Sequence, residues 1–127
     1  MIKDESFKRD ESKIWLRRAN NDLATAEYNF EGDKYDATIF YAHKAAEKAL
    51  MALIVKKSEK PEHIFDFTRI AKSLESHEEV LKLFAVIDLA YTISKHHHKE
   101  KEISREECHE AIKASAEILM WIKKHVE

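Results

Sequence analysis

The run Lys95-His96-His97-His98 stands at the end of a mostly apolar helical stretch and concentrates groups that can handle protons and negative charge. An imidazole titrates near neutral pH and can act as base or acid, while a neighbouring ammonium can stabilise a developing anion. Lysine is a compact charge without the two-pronged geometry by which arginine clamps a phosphate. The simpler account of the run is a solvated loop at a helix end, where cations sit favourably against the helix dipole. Three consecutive histidines point about 100° apart on a helix and alternate sides in an extended loop, so they rarely close on one ion. No metal site and no cofactor is expected from them.

A second polar set interrupts the stretch Tyr35 to Lys57. Asp36, His43, Lys44, Glu47 and Lys48 form a narrow stripe on a segment that is otherwise apolar or alanine. Lys44 with Glu47, and His43 with Glu47, have the spacing of intrahelical contacts, which are usually exposed and worth about 0.2–0.5 kcal/mol each. If the stripe lines a cleft, Lys44, Glu47 and Lys48, with Lys95, could form a local nucleotide- or phosphate-binding site. Arg105 and His109 would share a helix face, as many solvated charge pairs do. The single Cys108 has no histidine at catalytic spacing and reads as a small buried apolar group.

These groups depend on helices for their placement. Tyr35–Lys57 reads as a helix of about six turns that is buried around most of its circumference. Ala42, Ala45, Ala46, Ala49 and Ala52 admit close neighbours, and Ile39, Phe40, Leu50, Leu53 and Ile54 fill the spaces between them. Before it, Ile14, Trp15, Ala19, Leu23, Ala26 and Phe30 make one stripe on a helix from about Ser12 to Phe30, with residues 1–11 a frayed extension. Gly32 ends that helix and Asp33 is the expected N-cap of the next, so the pair must form an antiparallel hairpin. After the Pro61 break, a short helix is expected over Asp66–Glu75. Another starts at the Ser76/Glu79 capping box, buries Val80, Leu83, Phe84, Ile87 and Tyr91, and weakens near Ser94. A second capping box, Ser104/Glu107, opens the last helix, with Cys108, Ala111, Ile112, Ser115, Leu119, Ile122 and Val126 facing inward. Trp15 and Trp121 read as core or edge packing.

The 127 residues make one domain, 1–127, and the single glycine and single proline leave little material for turns or sheet. The expectation is an all-α, up-down antiparallel four-helix bundle with an extra short helix. A formal charge of −2 provides no global basic field, so any nucleic-acid contact must be local. The lone cysteine and the absence of a long apolar run point to a cytoplasmic protein that does not span a membrane.

Four segments together, WLRRANNDLATAE at 15–27, YDATIFYAHKAAEKALMALIV at 35–55, His63 and AEILMWIKK at 116–124, resemble the HEPN family of prokaryotic helical domains. The second resembles the family's "QAAEKALKAL" signature, with His43 and Lys44 near the usual glutamine and Met51 at the usual lysine. The resemblance implies a homodimeric bundle, commonly paired with a minimal nucleotidyltransferase in a toxin–antitoxin-type system. Many members are metal-independent ribonucleases with an Arg and a His separated by four to six residues, and many relatives of this type carry an Arg-Tyr-Pro element. Here Lys95 stands where that Arg would be and His96 where the Tyr would be, and Arg105 and His109 have only three residues between them. The expected function is therefore a nucleotide-, RNA- or partner-binding module. One alternative is a ribonuclease toxin in which Lys95 and His96, His97 or His98 replace the family pair. The other is a purely structural interaction dimer.

Overall fold

The computed structural model describes residues 5–56, 78–95 and 102–126. Among them are four helices and no strand: α1 (Glu5–Glu31), α2 (Tyr35–Lys56), α3 (Glu78–Lys95) and α4 (Arg105–Val126). The expected helical bundle is present. The expected short helix over Asp66–Glu75, the Ser76 cap and His63 lie outside the described residues.

The bundle is organised on α2, which packs against all three other helices. Its alanine faces explain this, since Ala42, Ala45, Ala46, Ala49 and Ala52 are all at most 1% exposed. Small side chains let helix backbones approach closely along that face. Two buried serines use the proximity. Ser12 of α1 donates to the Ala52 carbonyl at 2.8 Å, and Ser115 of α4 donates to the Ala42 carbonyl at 3.0 Å. Cys108 contacts the Tyr35 carbonyl at 3.6 Å, so the numbering of α4 advances with that of α2 and the two run parallel. This is the diagonal pair of an up-down bundle, drawn together by alanine and serine.

The larger core cluster lies among Leu16, Leu50, Leu53, Val80, Ile87, Ile118 and Ile122, and a smaller one gathers Ala26, Ile39, Ala42, Cys108 and Ala111. Trp15 and Trp121 pack at the edge of the larger cluster. Two expected core positions differ. Ile14 is 41% exposed, and Leu16 takes the inward place on α1; Phe40 is 40% exposed, because that side of α2 faces outward. The first helix also begins at Glu5, seven residues before the expected Ser12.

The α1–α2 turn has a different construction from the expected N-cap. Lys34 N donates to the Asn29 carbonyl and Asp33 N to the Phe30 carbonyl, the two bonds of a Schellman ending. Asp33, with φ 58°, occupies the left-handed position that glycine usually takes, directly after Gly32. Its side chain is then unavailable to cap α2; it accepts from the Tyr35 hydroxyl and from Arg105, each at 3.2 Å. At α4 the capping box forms as its spacing predicts, with Glu107 N on Ser104 Oγ at 3.1 Å and Ser104 N on Glu107 Oε1 at 3.3 Å.

Candidate functional site

The polar stripe of α2 meets α3 at His43. The side chain is directed inward by its place between Ala42 and the alanine pair Ala45 and Ala46, and only 5% of the residue is exposed. Its Nε2 lies 3.0 Å from Asp88 Oδ1 on α3, and its Nδ1 makes a 2.8 Å charge contact with Glu47 Oε1, one turn along α2. The ring stacks on Tyr91 of α3 with centroids 4.0 Å apart and planes 14° apart. The exposed intrahelical pair expected for His43 and Glu47 is thus the buried centre of an interhelical link.

Two carboxylates facing the two ring nitrogens select the doubly protonated imidazolium, because a neutral ring can donate to only one of them. Burial alone would lower the pKa of His43. The hydrogen bonds and charges of Asp88 and Glu47 outweigh that burial and raise it. For Glu47 burial favours the neutral acid, and the opposing bond and charge of His43, helped by Lys44, bring its pKa below the ordinary value. With both nitrogens engaged and the ring enclosed, His43 is suited to positioning α3 rather than to exchanging protons with a substrate.

The charged side chains near this link have separate partners. Lys44 Nζ is 3.6 Å from Glu47 Oε2 and 5.5 Å from the centre of the Phe40 ring. Lys48 is held at 2.7 Å by Asp22 of α1, which turns it toward the first helix. Lys95, in the last turn of α3, has its Nζ 4.9 Å from the centre of the Tyr91 ring. The structure joins Lys44 and Glu47 directly, links Lys95 to the same region through Tyr91 and His43, and directs Lys48 elsewhere. His96, His97 and His98 lie outside the described residues. Asp88 and Tyr91 are not among the polar candidates of the sequence, where Tyr91 reads as core. The available signal was Asp88 itself, one acid in the otherwise apolar run AVIDLAY.

Arg105 and His109 occupy a second place. An open groove of about 910 Å³ runs between the end of α1, the Val86–Ile93 face of α3 and the start of α4, lined by Phe30, Leu89, Arg105 and His109 among others. The Arg105 guanidinium lies 4.2 Å from the centre of the Phe30 ring, and the His109 ring is 6.1 Å from the same centre. Asp33 and Tyr35 also engage the guanidinium. Cys108, beside them in sequence, is buried, and burial first, then the charges of Glu107 and Asp36, push its thiol up to about 11. That thiol does not ionise near neutral pH. Among the described residues no three of His, Cys, Asp and Glu gather as a metal-binding group.

The amino-acid sequence matches the HEPN domain family model over residues 12–125. The chain belongs to the HEPN family. Searches of curated proteins and of solved structures return no match. In this HEPN domain the signature segment of α2 supplies both the alanine face that packs the bundle and the histidine that holds α3. Lys95, at the position compared above with the family arginine, is exposed at the tip of that helix. No helix among the described residues is long and apolar enough to cross a membrane.

Proposed function

We propose that this HEPN domain is a homodimeric nucleotide- or RNA-binding module of the cytoplasm that works with a minimal nucleotidyltransferase-like partner in a toxin–antitoxin-type system. The observation that carries the reading is the α2–α3 link, where buried His43 fixes Asp88 and Tyr91 and thereby places Lys95 beside an aromatic ring at an exposed helix end. A cation beside an aromatic ring at an exposed helix end suits a phosphate and its attached base. The enclosure of His43 and the heavily paired state of Arg105 favour binding over cleavage.

The test is incubation of purified protein with a mixed transfer-RNA and messenger-RNA pool in EDTA, followed by separate assays for retention and for cleavage. Retention of intact RNA, weakened in Lys95→Ala, is the expected result. Cleavage that both Lys95→Ala and a His96, His97, His98 triple-alanine variant lose would replace this reading with the ribonuclease one. Absence of both retention and cleavage, with the dimer intact, would leave only a protein-interaction role.

A further inference from the structure

The far end of α3 is attached thinly. Ile87 is its last buried residue, and from Asp88 to Lys95 every residue is half-buried or exposed. Ala90 and Tyr91 pack against the edge of the small core cluster, and His43 supplies the polar hold, with Nε2 3.0 Å from Asp88 and its ring stacked 4.0 Å from that of Tyr91. The same two turns carry Leu89, Ala90 and Ile93, which form one wall of the groove opposite Phe30, Arg105 and His109. A helix end with few buried apolar contacts opens at a lower cost than the bundle unfolds. Its hold on α2 therefore depends on the state of one imidazole.

We propose that residues 88–95 are a proton-controlled latch, closed against α2 while both nitrogens of His43 are protonated and loosened when one proton leaves, so that this wall of the groove opens without the bundle unfolding. The imidazolium donates to Asp88 across the interface and to Glu47 on its own helix. The neutral ring has one N–H. If that proton stays on Nε2, the bond to Asp88 loses its cationic donor; if it stays on Nδ1, Asp88 faces a lone pair. Either tautomer weakens the interface. From α2 the ring is faced by Glu47, with Lys44 3.6 Å behind that carboxylate, and from α3 by Asp88 and Tyr91. α1 meets α2 through Asp22, which is paired with Lys48, and α4 through Ser115 and Cys108, directed at the Ala42 and Tyr35 carbonyls. The pKa of His43 is raised by its two carboxylates, so the hold is complete below about 6.5 and is lost as pH rises through the raised value. Glu47, its pKa lowered, stays ionised throughout that rise.

The experiment is hydrogen–deuterium exchange of the full chain from about pH 6 to about pH 9, with and without low urea, read as protection after division by the intrinsic rate at each pH. Amides of 88–95 should be less protected than those in the middle of α2, should respond little to low urea, and should lose protection by about threefold to tenfold per pH unit, tenfold being the limit for one proton. His43→Gln should leave 88–95 weakly protected at every pH, without a slope. Asp88→Asn keeps the shape and should give a shallower slope than wild type, which carries the test if His43→Gln does not fold by circular dichroism. Protection of 88–95 that does not change with pH in wild type overturns the latch, and so does protection that matches the rest of the bundle in size and urea dependence, since the helix end then opens only with global unfolding. An NMR titration of the His43 ring with its midpoint at or below the ordinary 6.5 overturns it as well.

Discussion

His43 on α2 and Asp88 on α3 are joined at 3.0 Å across the helix interface, and the imidazole that makes the bond is almost wholly enclosed. The link couples packing to protonation. The pKa of His43 is raised above its ordinary 6.5, so its contribution to stability is fully present below about 6.5 and is lost as pH rises through the raised value. The pKa of Glu47 is lowered from its ordinary 4.5, so its contribution is present above about 4.5 and is lost as pH falls through the lowered value. The α2–α3 contact is accordingly most stable between about pH 4.5 and 6.5. Asp88→Asn removes one charge with little change of shape and should flatten the loss on the alkaline side. Its cost is about 1 kcal/mol, since the usual value for a charge-assisted bond is discounted for the half-exposed aspartate. Urea midpoints measured across pH for both proteins check the sign and the flattening.

Ser115 is fully buried where α4 meets the alanine face of α2. Ser115→Ala loses one buried hydrogen bond and should cost about 1 kcal/mol. Ser115→Leu must also force the diagonal helices apart and should cost about 1–3 kcal/mol more. Equal urea midpoints for the two variants would show that the α2–α4 approach is looser than the serine bond indicates.

Asp33 holds the left-handed position of the α1–α2 turn. Asp33→Val places a β-branched residue there and should destabilise the protein by about 1–2 kcal/mol. Asp33→Gly relieves the backbone and loses only exposed contacts, those with Tyr35 and Arg105, so its stability should stay within about 0.5 kcal/mol of wild type. Thermal melts of the pair distinguish a turn governed by backbone conformation from one governed by that ion pair.

Cys108, buried and with its thiol pushed up to about 11, should resist a chromogenic disulfide reagent at about pH 8 in the native state. Reactivity should rise with denaturant in step with the loss of helix. Rapid labelling of the folded protein would contradict its place in the small core cluster.

The fold was legible wherever periodicity and burial agree. The inward positions of α4 repeat at helical spacing and nearly all are buried, and the Ser104/Glu107 box states the start of that helix in four residues. The turn at Asp33 was misread because glycine stands one position earlier; the backbone places the left-handed residue by its hydrogen bonds, and aspartate tolerates that position. Phe40 was assigned to the core by its chemistry alone. The candidate site was half legible. Lys44, Glu47 and Lys95 stood out as charges, whereas the bond from His43 to Asp88 spans 45 positions and depends on how α3 is rotated against α2, which no local spacing encodes. Lys48 follows the same periodic stripe, but Asp22 of α1 supplies a carboxylate on its side.

The most direct measurement of the central claim is retention of a mixed RNA pool by the purified protein in EDTA, from about pH 6 to about pH 8, with Lys95→Ala alongside. Wild-type protein that retains intact RNA, with markedly weaker retention by the variant, is the predicted result. No retention by wild type at any pH in that range, or equal retention by the variant, would contradict the assignment of RNA binding to the Lys95 end of the α2–α3 face.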